Sequence, residues 1–294
     1  MDDVRARYAE AAGLDPADPA VELDVRGNRS VVLVHRPRRL VWRFPTHPED
    51  LPSMVAAGQR AQAAADLGLP APHLVAAHPE GGLGRAHLVF TYVPGIAMDD
   101  PRVVGLPAER RERLGRDLAD LLVRLRDLAP TAWPGTWAPW PQLWSDMADR
   151  VRQRVLPLVD PGGADLVERA LVRAVATAHD APASLNHGDL GGVNVRVDLA
   201  DGRITGVLDW DGSIPGDVAV DAAAVHAGVP ASVWDAVVAA EPVLVDDLAR
   251  HDDYLATWPA QEVLWGLDHG NDALVRDGLH RIGVLAGQDD TAPA

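Results

Sequence analysis

Residues 185–221 read LNHGDLGGVNVRVDLADGRITGVLDWDGSIPGDVAVD. Within them, His187-Gly188-Asp189-Leu190-Gly191-Gly192-Val193-Asn194 sets an aspartate and an asparagine five positions apart across a glycine-containing loop. Two short apolar runs follow, 194–197 and 204–208, joined by Asp201-Gly202, a dipeptide suited to a tight hairpin turn. The second run ends on Asp209-Trp210-Asp211. Taken singly, these features are ordinary: His-Gly-Asp makes a turn, Asn194 starts a strand, and a carboxylate at a hairpin end is usually solvated. Together they match the demands of phosphoryl transfer. That chemistry needs a carboxylate to accept a hydroxyl proton and hard oxygen ligands to hold magnesium against phosphates. Asp189 suits the base, and Asn194 and Asp209 suit the ligands. The order Asp, Asn, Asp is that of the kinase signature.

Working upstream, residues 21–25, 31–34 and 41–44 are short apolar runs separated by turn residues at 27–30 and 36–39, which predicts antiparallel strands. Residues 54–67 are Ala-rich and read as a helix, stopped by Pro70 and Pro72. A further strand is expected over 87–93, closed by Pro94-Gly95. Leu114, Leu118, Leu121, Leu122, Leu125 and Leu128 recur at helical spacing and give one buried face. Helices are expected over 164–178, 231–250, 254–267 and 272–284. Strands, one helix, a strand, then helices interrupted by a hairpin make an α+β chain. Its expected parts are a small N-terminal antiparallel β lobe, residues 1–93, and a larger, mainly helical C-terminal lobe, residues 94–294.

Composition narrows the chemistry. The chain of 294 residues has no cysteine, so disulfides, thiolate zinc sites and cysteine nucleophiles are excluded. It also has no lysine, which excludes a Walker A loop and a pyridoxal Schiff base. The net charge of −16 disfavours nucleic acid and favours cationic partners, magnesium and polycationic small molecules among them. No signal peptide and no membrane-length apolar run is visible, so a cytoplasmic protein, monomeric or dimeric, is expected.

The string HGDLGGVNV followed by GVLDWDGSIPGDVAVD resembles the aminoglycoside phosphotransferase superfamily, whose members share the two-lobed fold of protein kinases. The resemblance implies Asp189 as catalytic base, Asn194 and Asp209 as magnesium ligands, and His187 with Gly188 as residues that set the loop. Asp217 and Asp221 would be structural, one capping a helix and tying to the catalytic loop. Asp211 would line the substrate cleft. The family presents a cation from its third strand to the phosphates, and Arg43 falls at that place; arginine can meet phosphate in two-point fashion. Asn28 and Ser30, beside Gly27, would lie over the phosphates. Thr91 and Val93 would hold the purine of ATP or GTP through their main chain. One departure stands out: kinases pair the cation with a glutamate on the following helix. Residues 54–67 contain none; Gln59 occupies the corresponding turn, with Glu49 and Asp50 just upstream.

The expected acceptor is a small molecule, and the acidic charge favours a cationic one. Trp133, Trp137, Trp140 and Trp144 lie on an insert near the expected cleft, either stacking on substrate or packing the core. Trp265, Glu262 and Asp268 combine aromatic and acidic side chains suited to a polycationic antibiotic. Gly191-Gly192 is similar to the loop of cyclic-peptide phosphotransferases, and residues 41–45 are similar to macrolide kinases. Aminoglycosides, macrolides, cyclic peptides and metabolites such as choline or homoserine remain open as acceptors. A nucleotide-binding pseudokinase is the alternative of a different class. A protein kinase is disfavoured by the lack of DFG and APE strings.

Overall fold

The computed structural model describes residues 2–25, 30–240 and 244–289. Its N-terminal part consists of α1 (Asp2–Ala11), β1 (Val21–Asp24), β2 (Ser30–His35), β3 (Leu40–Pro45), α2 (Leu51–Asp66), β4 (Leu74–His78) and β5 (His87–Thr91). The five strands form one antiparallel sheet in the order β1-β2-β3-β5-β4. Alternation along β3 divides its side chains between two faces. Trp42 and Phe44 are buried with Leu33 against Tyr8, whose ring lies 4.8 Å from Phe44. Val41 and Arg43 point the other way, into a cavity. The outer face is thus covered by α1, an element the sequence reading did not anticipate; with one expected helix in this lobe, the structure has two. Helix α2 turns Met54, Ala57, Ala61 and Ala64 inward, and Met54, Ala61 and Ala64 share a core with Leu88 and Phe90 of β5.

The larger part follows a short connection, residues 92–95. It contains β6 (Ile96–Ala97), α3 (Pro101–Val104), α4 (Ala108–Asp127), α5 (Trp140–Arg154), α6 (Pro161–Asp180), β7 (Ser184–Asn186), β8 (Val195–Asp198), β9 (Arg203–Val207), β10 (Ile214–Gly216), α7 (Ala219–Gly228), α8 (Ala231–Ala240), α9 (Val245–Leu255), α10 (Trp258–His269) and α11 (Asp272–Asp289). The leucine stripe of α4 is buried as its spacing requires, with Leu114, Leu118, Leu121, Leu122 and Leu125 at most 2 % exposed. The expected helix over 231–250 is two helices, α8 and α9; Pro242 falls between them in the sequence. Two small antiparallel sheets, β6-β8-β9 and β10-β7, frame the loop that carries Asp189. The two-lobed, kinase-like α+β architecture is therefore present. Among the described residues no helix is long and apolar enough to cross a membrane.

Gly95 joins the two parts at φ +102°, and a Cβ there would stand 2.7 Å from the Val197 carbonyl oxygen. Only glycine allows the connection to pass this close to β8.

Candidate active site

Strand β7 delivers the chain into residues 187–189. His187 is fully buried, and its Nε2 donates to the Leu208 carbonyl at 3.0 Å. Its Nδ1 accepts from the Asp189 backbone N–H at 3.3 Å. These partners fix a neutral imidazole with its proton on Nε2, and burial pushes its pKa down to about 4. The ring stands edge-on to Trp210 at 4.7 Å. Gly188 has φ +81°, with room for a Cβ denied by the Gly212 carbonyl at 2.6 Å. Asp221, fully buried on α7, accepts the His187 and Gly188 backbone N–H groups at 2.6 and 2.9 Å. Desolvation pushes its carboxyl up to about 7, against those two hydrogen bonds. The loop is thus clamped on both sides of Gly188 before it reaches Asp189.

Asp217 has a different task. Its Oδ1 caps the Ala219 N–H at 3.0 Å, and its carboxylate takes Arg250 Nε and Nη2 at 2.9 and 2.8 Å and the Tyr254 hydroxyl at 3.0 Å. Of the two aspartates in GDVAVD, Asp221 ties down the loop and Asp217 anchors α7 to α9.

Asn194 spends its amide nitrogen on Asp189, at 2.8 Å to the backbone oxygen and 2.9 Å to Oδ2. This assigns the amide nitrogen of Asn194 to the Asp189 side, so its Oδ1 is the end not bonded to Asp189. Burial pushes the Asp189 carboxyl up, while the Asn194 amide pulls it down. After the β8–β9 hairpin the chain returns beside this pair, since Leu208 N donates to Asn194 O at 2.8 Å. Asp209 then adopts φ 62°, ψ 59°, a left-handed conformation that costs a non-glycine residue about 1 kcal/mol. Desolvation raises its carboxyl above the ordinary range, opposed by Arg43.

A cavity of about 710 Å³ opens between the five-stranded sheet and this loop. Ser30, Arg43, Thr91, Val93, Asn194 and Asp209 all line it. Arg43 Nε donates to Ser30 Oγ at 3.1 Å, and Nη1 and Nη2 fork onto Asp211 at 3.0 and 3.1 Å. Nη2 also lies 3.5 Å from Asp209. Thr91 donates its N–H to the His73 carbonyl at 3.0 Å, so only its carbonyl is left to face a ligand. Asn28 lies outside the described residues.

Of the four expected substrate contacts, Asp211 lines the cavity and Glu262, Trp265 and Asp268 do not. Asp211 lines the cavity, but its carboxylate is committed to Arg43 rather than open to an acceptor. Glu262 pairs with Arg281 of α11, and Asp268 pairs with both Arg150 and Arg154 of α5. Trp265 stacks on His269 at 4.0 Å. None of the three on α10 lines the cavity, and the two acids are spent on cations that the linear sequence does not place beside them. The tryptophan insert is mostly core. Trp133 is buried and donates to the Ser213 carbonyl at 2.9 Å, while Trp140 packs edge to face on both Trp144 and Tyr254, which tilt against each other. Sequence reasoning missed Arg60, one position beyond Gln59 on α2. Its Nε and Nη2 donate to the carbonyls of Trp210 and Asp211 at 3.2 and 2.6 Å, and its guanidinium sits 5.3 Å over the Trp137 ring. The search along α2 was for a carboxylate, and the helix supplies a cation.

A kinase-like fold in which Asp189 is bonded to Asn194, and Asn194 and Asp209 line the cleft, has the arrangement of a kinase. The chain belongs to the phosphotransferase enzyme family, whose profile matches residues 23–264. It is 31 % identical over 267 residues to viomycin phosphotransferase of Streptomyces vinaceus, covering 87 % of each chain. Among solved structures, the GDP and kanamycin complex of the aminoglycoside phosphotransferase APH(2")-IIIa superposes with a TM-score of 0.76 at 18 % identity, over 90 % of this chain and 92 % of that one. The ternary complex of a thermostable mutant of APH(4)-Ia with AMP-PNP and hygromycin B gives 0.67 at 18 % identity, over 94 % and 95 %. At these identities the solved structures speak to fold.

Proposed function

We propose that this protein transfers the γ-phosphoryl group of ATP or GTP to a hydroxyl of a cationic antibiotic, with a basic cyclic peptide of the viomycin kind as the foremost acceptor. The observation that carries the chemistry is the Asn194 bridge. One side chain holds the Asp189 carboxylate through its nitrogen, and its residue lines the cavity together with Asp209. In this reading Asp189 takes the acceptor's hydroxyl proton as the new O–P bond forms and the bond to the β-phosphate breaks, releasing the nucleoside diphosphate. Desolvation raises its carboxyl against the pull of the Asn194 amide, which makes it a stronger base than a freely solvated aspartate.

Magnesium fits the donor set. Asn194 Oδ1 and the half-exposed Asp209 carboxylate are hard oxygens, and magnesium is commonly held by one or two protein oxygens with phosphates and waters completing the shell. When bound, it would neutralise charge on the transferring phosphates. Arg43 and Ser30, with Asn28, would contact phosphate oxygens, and Thr91 and Val93 would meet the purine through main-chain groups. The interlobe boundary falls at residue 93, and use of a cellular nucleoside triphosphate puts the reaction in the cytoplasm. The cyclic-peptide acceptor rests on the viomycin phosphotransferase likeness, which spans most of both chains.

A coupled nucleotide-consumption assay tests the proposal, with magnesium, ATP or GTP, and a panel of cyclic peptides, aminoglycosides, macrolides and amino-alcohols. Acceptor-dependent turnover that falls by about 10²–10⁴-fold in Asp189→Asn is expected. Turnover retained at a near-normal rate in that variant removes Asp189 as the base. Nucleotide binding with no turnover on any acceptor favours the pseudokinase.

A further inference from the structure

Protein kinases orient their phosphate-binding cation with a glutamate on the helix after the third strand. Here α2 carries no glutamate, and its one acid, Asp66 in the last turn, accepts from Gln62. The partner of Arg43 comes from the opposite lobe. Asp211 receives one N–H from each terminal nitrogen, so it occupies the end edge of the guanidinium. That leaves the side edge, Nε and Nη2. The side edge faces Ser30 Oγ at 3.1 Å and Asp209 Oδ1 at 3.5 Å, two groups assigned to phosphate and magnesium.

Helix α2 still takes part, with reversed charge. Arg60 grips the carbonyls of Trp210 and Asp211, which fixes the turn from which the Asp211 side chain projects. Trp137 covers the Arg60 guanidinium. An ordered path therefore runs from Trp137 through Arg60 and Asp211 to Arg43, and it crosses between the lobes. A guanidinium can use two edges at once, one for a carboxylate and one for phosphate, which a lysine ammonium cannot do with defined geometry.

We infer that Asp211 is the positioning residue for Arg43: it holds the end edge of the guanidinium so that Nε and Nη2, which meet Ser30 and Asp209 in this structure, can turn two parallel donors to nucleotide phosphate oxygens. The inference rests on the phosphotransferase reading above. It assigns Asp211 to the nucleotide rather than to the acceptor, and it assigns Arg60 to the support of Asp211.

The test is nucleotide binding by titration calorimetry on the full chain, with magnesium and ATP or GTP and no acceptor, so that no turnover is required. Asp211→Asn keeps the size of the side chain but turns an N–H₂ toward Arg43. Affinity is expected to fall about tenfold, the scale of one lost charge-assisted hydrogen bond. In an Arg43→Gln background the same substitution should change affinity by less than about twofold, because its effect passes through Arg43. Arg60→Met, which leaves both carboxylates in place, should weaken binding in the same direction, and it serves as the second variant if Asp211→Asn lowers the unfolding midpoint. In turnover assays Asp211→Asn should leave the acceptor KM within about twofold. Unchanged or tighter nucleotide binding in Asp211→Asn overturns the inference, since it would mean that the carboxylate mainly repels phosphate. An equal loss in the Arg43→Gln background, or a raised acceptor KM with unaltered nucleotide affinity, overturns it as well. A wild-type protein that binds neither nucleotide sinks the phosphotransferase reading and this inference with it. Wild-type binding that ignores Asp211 sinks this inference alone.

Discussion

Replacing Asp217 with alanine should cost more stability than any single apolar truncation at the protein surface. The carboxylate is fully buried and accepts four hydrogen bonds, from Ala219 N, Arg250 Nε, Arg250 Nη2 and Tyr254 Oη. Breaking a buried pair by removing one partner costs about 3–5 kcal/mol, chiefly through the charge left behind. Arg250 retains Asp247 at 2.8 Å, and its own side chain is 20 % exposed, which moves the expectation to the low end, about 3 kcal/mol. The Tyr254 hydroxyl loses its acceptor, since Trp140 Nε1 can only donate to it, at 3.4 Å. The assay is urea unfolding followed by tryptophan fluorescence. With a slope of about 3 kcal/mol per molar urea, the midpoint of the first transition should fall by about 1 M. Adding Arg250→Met removes the stranded cation, so the double variant should be no less stable than Asp217→Ala alone. A loss below about 1 kcal/mol in the single variant, or a double variant worse by about a further 2 kcal/mol, refutes the reasoning.

His187 gives a pH prediction. Its folded pKa, about 4, lies below the unfolded value of 6.5, so between them the unfolded chain binds a proton that the native state refuses. This contribution is fully present above pH 6.5 and is lost as pH falls, reaching about 3 kcal/mol near pH 4. His187→Gln should flatten the acid side of the stability–pH curve by about that amount, and parallel curves for the two proteins would contradict it. Gly188→Ala places a methyl 2.6 Å from the Gly212 carbonyl on a left-handed backbone, so a loss of about 2 kcal/mol or more in unfolding stability is expected, with turnover falling as Asp189 shifts. Asp268→Asn should change the KM of a cationic acceptor by less than about twofold, because Arg150 and Arg154 already consume that charge; a rise of about tenfold would return α10 to the substrate site.

What could be read from the sequence was what the chain holds locally. Asp189 and Asn194 are five apart, and the hairpin that returns Asp209 to them is itself a local turn, so spacing alone carried the triplet. The leucine stripe of α4 likewise reports burial directly. The pairing of the α10 acids was not legible, because net charge does not say which acids are already paired; the partners of Asp268 lie 114 and 118 residues away. Helix α1 was passed over because its run is largely polar, and only Tyr8 and Ala9 of it are deeply buried. The tryptophans were ambiguous in principle, since aromatic residues in an insert suit a core and a binding face equally until their neighbours are known.

The missing glutamate shows the limit more sharply. Its absence from α2 was legible, and it cast doubt on the phosphate site. The compensation was not legible, because Arg43 and Asp211 stand 168 residues apart and meet only when the lobes face one another. Nor would a lysine at position 43 reproduce the arrangement: one ammonium cannot hold a carboxylate in a planar fork and still offer a second pair of parallel donors. A chain without lysine that places arginine on β3 gains a cation with two usable edges. The acid that orients it can then come from the turn beside Asp209, freeing α2 to bind that same turn with Arg60. In the proposed reading, the cation that would meet phosphate is set by the same short turn that carries Asp209. Whatever moves that turn shifts both the candidate magnesium ligand and the candidate phosphate-binding cation together.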